Sequence, residues 1–190
     1  AAIYGNNPSV PKLETMLPEP QSPYAITKLD GEYYNALFAR TGQLPTASTR
    51  FFNVFGPRQD PRGAYAAAVP IFIEKALRHE PITIFGDGEQ TRDFIYVKDI
   101  VGALVFTATT PEATGTFNVG YGQKLSINAL AEKIIALTGS RSSIQHLPER
   151  SGDVKHSLAS AEKLRAAGWS PAHNFEEGLA ATIRDFQSHR

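Results

Sequence analysis

The order of apolar segments is the feature that most restricts the fold, because strand-like stretches alternate with stretches of helical periodicity along the chain. The predicted helices are 25–40, 66–78, 99–108, 127–137, 160–167 and 175–188. The predicted strands are 45–54, 82–85, 116–119 and 144–147. This alternation is typical of α/β proteins, in which helices connect the strands of a mainly parallel sheet. The fold class predicted from the sequence is therefore α/β.

Residues with known preferences at helix ends set several of these boundaries. Pro23 stands where the first helix would begin, since proline fits the first helical turn. Asp99 and Ser126 are the predicted N-caps of two later helices, and Gly139 is predicted to end the second of them. Residues 6–23 are rich in Pro, Asn and Ser, so they are predicted to form a long surface loop.

The composition fits a folded chain without affinity for polyanions or lipids. The 190 residues are 42% hydrophobic and 20% charged, with a formal net charge of zero. We therefore expect no nucleic-acid and no membrane partner. The sequence has no cysteine, and its five histidines lack metal-ligand spacing, so no metal is expected. The lack of cysteine and of a signal-peptide pattern at the start favours a cytoplasmic protein.

The segment PYAITK, residues 23–28, has two interpretations. Tyr24 and Lys28 are four residues apart, so they would share one face of a helix. A phenol with its ordinary pKa of about 10 is a poor base at neutral pH, and a cation on the same face favours the phenolate form. The spacing therefore suits a tyrosine that transfers protons. A tyrosine packed on the core beside a solvated lysine produces the same pattern.

Five further stretches decide between these interpretations. They are AAIYG at the start, TRFFNVFGPRQDP (49–61), GDGEQTRDFIYVKD (86–99), FNVG (117–120) and RSGDVKHS (150–157). With the tyrosine and lysine pair, they resemble the extended short-chain dehydrogenase/reductase superfamily, in its branch of NAD-dependent nucleotide-sugar epimerases and dehydratases. The six blocks follow the order of that family over the whole chain. The blocks at 51–73 and 150–157 are most similar to UDP-N-acetylglucosamine 4-epimerases, with UDP-glucose 4-epimerases close behind.

The resemblance implies a Rossmann-like doubly wound parallel sheet and a smaller α/β substrate domain. Residues 1–56 would be the remainder of the NAD-binding domain and 57–190 mostly the nucleotide-sugar domain, with 117–120 returning to the first. The family's G-x-x-G-x-x-G turn, which holds the NAD pyrophosphate at a helix N-terminus, does not occur here. We therefore expect the C-terminal part of a longer enzyme, inactive alone. If the natural chain is this short, a non-catalytic fragment is the expectation.

The resemblance also implies roles for individual residues. Tyr24 would exchange a proton with the sugar 4-hydroxyl while NAD takes the hydride from C4 and later returns it to the other face of the 4-keto sugar. Lys28 would bind the nicotinamide ribose, and Pro23 would lie beside the nicotinamide. Asn53 would contact the diphosphate of a UDP-sugar substrate.

The remaining substrate contacts implied by the family lie later in the chain. Arg92 and Arg150 would clamp the diphosphate, since guanidinium groups bind phosphate oxygens in a bidentate way. Without the motif, exposed salt bridges are an equal alternative for both. Asp153 would contact the uridine ribose, and Thr83 and Phe85 would run beside the uracil.

Ser157 is the position that suggests substrate size. In the family a bulky tyrosine at the matching position accompanies plain hexoses, and a small residue accompanies N-acetyl sugars as well. The predicted substrates are therefore UDP-GlcNAc and UDP-GalNAc, with UDP-Glc and UDP-Gal second, in polysaccharide biosynthesis. A 4,6-dehydratase and a decarboxylase or reductase of the same fold stay open. Dehydratases of the family carry an acidic pair near the region of Ala1 and Ala2, which argues against the first.

The helix that carries Tyr24 has a set of outward apolar residues that includes Tyr33 and Leu37. In the family this helix commonly joins a dimeric four-helix bundle, so a homodimer through it is expected. The alternative is that these residues pack only against the sheet.

Overall fold

The computed structural model describes residues 1–42, 44–62, 67–149 and 154–188. The strands in these ranges are β1 (Ala47–Phe51), β2 (Asn53–Phe55), β3 (Ile82–Phe85), β4 (Thr91–Arg92), β5 (Phe94–Tyr96), β6 (Gly115–Val119), β7 (Leu125–Ser126) and β8 (Ile144–Leu147). The helices are α1 (Pro23–Arg40), α2 (Ala68–Leu77), α3 (Val97–Thr109), α4 (Ile127–Thr138), α5 (Glu162–Ala166) and α6 (Phe175–Ser188), after a 3-10 turn at Ala2–Tyr4.

The strands of the described residues pair two by two, and three of the four pairs are parallel. β1 pairs with β6, β2 with β5 and β3 with β8 in parallel, while β4 and β7 are antiparallel. The parallel partners are far apart in sequence and are connected through helices, as parallel pairing requires. The α/β class predicted from the sequence is confirmed.

The helix ends show why local sequence predicted α1 and α4 well. Pro23 opens α1, and the hydroxyl of Ser22 accepts a hydrogen bond from the N–H of Ala25 at 3.2 Å. Ser126 caps α4 in the same way, and Gly139 ends that helix with a left-handed φ of 61°. Each side-chain cap satisfies an N–H group that has no partner inside its helix.

The prediction that Asp99 is an N-cap is wrong. α3 begins at Val97, directly after β5, and Tyr96 is at its cap position. Asp99 lies inside the first turn, where its buried carboxylate accepts a hydrogen bond from the Tyr121 hydroxyl at 2.6 Å. A further bond, from the N–H of Ala172, ties the start of α3 to the segment before α6.

Three other predictions need correction. The strand expected over 45–54 is interrupted at Phe52, because β1 and β2 turn to different partner strands. The helix expected over 160–167 is the shorter Glu162–Ala166. The loop expected over 6–23 is irregular but not confined to the surface, because Lys12 is buried and bridges to Ala159.

Two apolar clusters hold the elements together. The larger is built from the inward faces of β2, β3, β5 and β6 and of helices α2, α3, α4 and α6. The smaller contains Ile3, Tyr4, Leu29, Phe52 and Ala159, so it joins the start of the chain and α1 to the segment around residue 159. No helix within the described ranges is long and apolar enough to cross a membrane.

Candidate active site

A large cavity, of about 930 Å³, lies between the first residues of the chain, the first half of α1 and strand β1. Five residues singled out from the sequence line it, and they are Tyr24, Lys28, Asn53, Arg92 and Ser157. These five residues come from four separate parts of the chain, so distant segments contribute to one space. Phe51 and Phe52 form part of its wall.

Tyr24 and Lys28 lie together on α1, as the four-residue spacing predicts. The Lys28 ammonium nitrogen is 5.3 Å from the centroid of the Tyr24 ring. Tyr24 is 55% exposed, and both side chains line the cavity. Ala25 and Leu29, which follow each of them in the chain, are buried and attach this part of the helix to the protein. The first two turns of α1 therefore present a phenol and an ammonium to the cavity.

A largely buried ion pair holds the same helix against β1. The Arg50 guanidinium contacts both carboxylate oxygens of Glu32, with Nη2–Oε2 at 2.7 Å and Nε–Oε1 at 2.9 Å. Glu32 is one turn beyond Lys28, so it fixes the stretch of helix that follows the pair. Arg50 also donates to the Tyr4 hydroxyl at 2.8 Å, and that hydroxyl donates to Asn118 at 2.6 Å. Burial raises the pKa of Tyr4, which favours its protonated form.

The other side of the cavity carries the residues expected to bind a nucleotide sugar. The Asn53 side-chain amide donates to the backbone oxygen of Asp93 at 3.1 Å. The Arg92 guanidinium donates to the backbone oxygen of Thr91 at 2.9 Å. The backbone N–H of Ser157 donates to the same Thr91 oxygen at 3.0 Å. Hydrogen bonds to the backbone oxygens of Thr91 and Asp93 thus hold all three residues at this side of the cavity.

The residues expected near the uracil lie apart from the large cavity. Phe85 lines a second cavity of about 170 Å³, together with Glu149 and Lys155. Val154 lines both cavities, so the two spaces are neighbours. Thr83 lies on the same strand, β3, but is not among the residues that line either space.

Arg150 and Asp153, the other two residues expected to bind substrate, lie outside the described residues. In the ranges that are described, no group of three or more His, Asp or Glu side chains is arranged to hold a metal ion.

Besides Arg50, sequence reasoning missed two more buried charged residues beside the site. Lys12 is 2% exposed and donates from its ammonium to the backbone oxygens of Asn7 and Ser9. Burial lowers its pKa. Asp93 is 0% exposed, and burial raises the pKa of its carboxyl while backbone hydrogen bonds oppose the rise. The neighbouring residues in the sequence do not distinguish such residues from surface charges, because several of their hydrogen-bond partners are distant in sequence.

Comparison with known proteins gives consistent matches over nearly the whole chain. A UDP-glucose 4-epimerase of Mycolicibacterium smegmatis is 36% identical over 98% of this chain and 60% of its own length. The structure of a UDP-N-acetylglucosamine 4-epimerase from Methanobrevibacter ruminantium M1 superposes with a TM-score of 0.95 at 42% identity, covering all of this chain and 61% of that one. The dTDP-glucose 4,6-dehydratase 1 of Escherichia coli K12 is 32% identical over 93% of this chain and 50% of its own length.

The chain thus spans between 50% and 61% of the length of these three relatives. The model of the NAD dependent epimerase/dehydratase family matches residues 1–120, which is more than half of the 190 residues. This match includes the tyrosine and lysine pair and the asparagine and arginine that line the large cavity. The chain therefore belongs to the NAD dependent epimerase/dehydratase family.

Proposed function

We propose that the complete protein is an NAD-dependent nucleotide-sugar 4-epimerase and that the large cavity contains its reaction centre. One observation carries the proposal: Tyr24 and Lys28 open onto the same space as Asn53, Arg92 and Ser157. A proton-transferring pair is thereby combined with an amide and a guanidinium suited to a diphosphate.

The residues of this chain fit the nicotinamide end of NAD. Tyr24 and Lys28 offer a hydroxyl and an ammonium to the open cavity, and these are suitable donors for ribose hydroxyls. Pro23 lies at the start of the same helix, next to the phenol. When bound, NAD would supply the hydride acceptor and donor at the sugar C4.

The remaining chemistry is assigned to side chains of the chain. The Tyr24 oxygen accepts the proton of the sugar 4-hydroxyl and returns it after the 4-keto sugar has turned its other face. The Lys28 ammonium, beside the ring, stabilises the negative charge on that oxygen. Asn53 and Arg92 hold the diphosphate, so the sugar can rotate while the nucleotide stays bound. We propose the same diphosphate role for Arg150 and a uridine-ribose contact for Asp153.

For the substrate we propose UDP-GlcNAc and UDP-GalNAc, with UDP-Glc and UDP-Gal second. Ser157 lines the cavity with a small side chain, which leaves space for an acetamido group. The similarity to a UDP-N-acetylglucosamine 4-epimerase supports this order. Thr83 and Phe85 are proposed to border the uracil, and Phe85 lies at the smaller adjoining cavity.

A 4,6-dehydratase is the second candidate, because a dTDP-glucose 4,6-dehydratase is among the relatives. Dehydration at C6 needs an acid and a base besides the tyrosine. Ala1 and Ala2 line the cavity and carry no carboxylate. This difference favours the epimerase.

We further propose a homodimer formed through α1, in the cytoplasm, in a pathway of polysaccharide synthesis. Of the 18 residues of α1, Ala25 and Leu29 are buried, and six large apolar or aromatic side chains are exposed.

The proposed domains are 1–56 and 57–190. The pairing of β6 with β1 supports assigning 117–120 to the first domain.

The test uses the full-length protein, incubated with UDP-GlcNAc and separately with UDP-Glc, while NMR follows the C4 epimers. Tyr24→Phe should lower the rate about 10²- to 10⁴-fold, the contribution expected of a proton-transferring group. Tyr34→Phe is the matched control, since Tyr34 lies on the same helix and is 65% exposed. It should keep the wild-type rate.

Other products would change the assignment. A 4-keto-6-deoxy sugar would identify a dehydratase. A protein that holds NAD but converts none of these sugars would exclude the epimerase.

A further inference from the structure

The carboxylate of Asp93 connects two segments that are distant in sequence. It is 0% exposed. Its Oδ1 accepts the N–H of Tyr121 at 3.0 Å, and its Oδ2 accepts the N–H groups of Gly122 at 2.9 Å and Ala159 at 3.1 Å. Hydrogen bonds to a charged group are stronger than those between neutral groups. The loop after β6 and the segment around Ala159 are therefore tied to the residue that follows Arg92.

Gly120 shows how closely the backbone approaches this carboxylate. A Cβ atom on Gly120 would lie 2.6 Å from the Asp93 Oδ2 and 2.7 Å from the Ala159 Cβ. Both distances are too short for real contacts. Packing and hydrogen bonds thus fix the same carboxylate.

Three residues of the proposed substrate site are connected to Asp93, one by hydrogen bonds and two through the chain. Asn53 donates both its backbone N–H, at 3.0 Å, and its side-chain amide, at 3.1 Å, to the Asp93 backbone oxygen. Arg92 precedes Asp93 in the chain. Ser157 is two residues before Ala159, whose N–H the carboxylate accepts.

The segment after Ser157 has a second attachment that does not involve Asp93. The N–H of Lys12 donates to the Leu158 oxygen at 2.8 Å, and the N–H of Ser160 donates to the Lys12 oxygen at 2.9 Å. Loss of one bond to Asp93 therefore leaves the segment in place but less firmly held.

We propose that Asp93 is a positioning residue of the nucleotide-sugar site, whose carboxylate sets the places of Asn53, Arg92 and Ser157 relative to one another. The inference rests on the proposed function of the large cavity. Asp93 lines neither that cavity nor the smaller one, so it acts through its neighbours.

Full-length Asp93→Asn tests the proposal. The amide has the shape of the carboxylate, but one of its two ends is a donor and cannot accept a backbone N–H. The KM for the UDP-sugar and the Kd for UDP alone, measured by calorimetry, should each rise about tenfold. Because Tyr24 and Lys28 are not attached to Asp93, kcat should change less than about threefold and the bound NAD should stay constant.

Asp99→Asn is the matched control. Asp99 is also a buried carboxylate, 2% exposed, that accepts a backbone N–H, from Ala172, and the hydroxyl of Tyr121. It should lower the melting temperature without raising the KM or the Kd for UDP. If the KM and the Kd for UDP rise equally in the two variants, Asp93 contributes only to general stability and the proposal is overturned. Unchanged constants in Asp93→Asn would overturn it as well.

A second variant guards against loss of folding. Gly120→Ala keeps the carboxylate but presses a Cβ against it, so it should also raise the Kd for UDP. If neither variant folds, Asp93 is needed for folding itself and the positioning role is rejected.

The UDP titration also separates this inference from the proposed reaction. A wild-type protein that binds UDP without epimerising a sugar would refute the reaction, and the Kd values would still test Asp93. A wild-type protein that does not bind UDP would refute both.

Discussion

At the level of single residues, the ion pair of Arg50 and Glu32 connects the helix of the proposed reaction centre to strand β1. Their side chains are 7% and 16% exposed, and the guanidinium contacts both carboxylate oxygens. Removing one partner of a buried pair leaves the other charge without compensation, which costs more than the intact pair contributes. Exposed pairs behave differently, because water screens both charges.

Glu32→Gln should therefore lower the free energy of unfolding by about 3 kcal/mol, as measured by urea denaturation of the full-length protein. Glu74→Gln is the matched control. It breaks the ion pair with Arg78, which is more exposed to solvent. The Arg78 side chain is 54% exposed and the Glu74 side chain is 23% exposed. That change should cost less than about 1 kcal/mol. Equal costs for the two variants would contradict the importance assigned to burial here.

At the scale of elements, the sequence predicted those features that depend on neighbouring residues. The caps at Ser126 and Gly139 act within one helical turn, so four or five consecutive residues are enough to predict each helix end. The interruption at Phe52 depends on which strands lie beside β1 and β2, and those strands are 40 or more residues away. The position of Asp99 depends on Tyr121 and Ala172 in the same way.

The N-caps of α1 and α4 allow a paired test. Ser22 and Ser126 accept backbone bonds at 3.2 and 3.1 Å, so each change to alanine should cost about 1 kcal/mol of stability. Ser22 also lines the large cavity, and Tyr24 follows two residues later. Ser22→Ala should therefore lower the rate of the full-length enzyme, whereas Ser126→Ala should not. Equal rates in the two variants would argue against a role of the α1 start in activity.

Replacing each of two helical glycines with alanine should change the stability of the protein in opposite directions. A Cβ on Gly178 in α6 would lie 2.8 Å from the Tyr96 Cγ, so Gly178→Ala should destabilise the protein by about 1–3 kcal/mol through overpacking. A Cβ on Gly102 in α3 would lie 3.7 Å from the Trp169 Nε1, an ordinary contact. Gly102→Ala should therefore stabilise by about 0.5–1 kcal/mol, since alanine favours helix. Thermal unfolding of both variants checks the opposite signs.

At the scale of the whole molecule, the site depends on contacts between distant segments. The pair Tyr24 and Lys28 follows from helical geometry alone. Asn53, Arg92 and Ser157 could be grouped beforehand only through the family resemblance, because no local pattern joins them. Asp93 and Lys12, which form hydrogen bonds to the segment that follows Ser157, were not predicted by either route. Their partners are identified only once the chain is folded.

The exposed side of α1 carries the prediction for assembly. Tyr33 and Leu37 are 60% and 47% exposed and lie one turn apart, on a helix with few buried residues. In a two-fold symmetric dimer each substitution occurs twice, so a charge on this face is felt twice at one interface. Leu37→Glu loses the burial of two leucines, at about 1.5–3 kcal/mol each, and introduces two charges. The dimer dissociation constant should thus rise at least about 100-fold.

Sedimentation of the full-length protein should therefore give a dimer for the wild type and a monomer for Leu37→Glu at micromolar concentration. Leu137→Glu is the matched control, since Leu137 is also a helical leucine, on α4, and is 51% exposed. It should leave the dimer intact, because the proposed interface involves α1 and not α4. A dimer that survives Leu37→Glu, or one that is lost equally in both variants, would reject α1 as the interface. A monomeric wild type would reject the homodimer itself, and the exposed side of α1 would then have another partner or none.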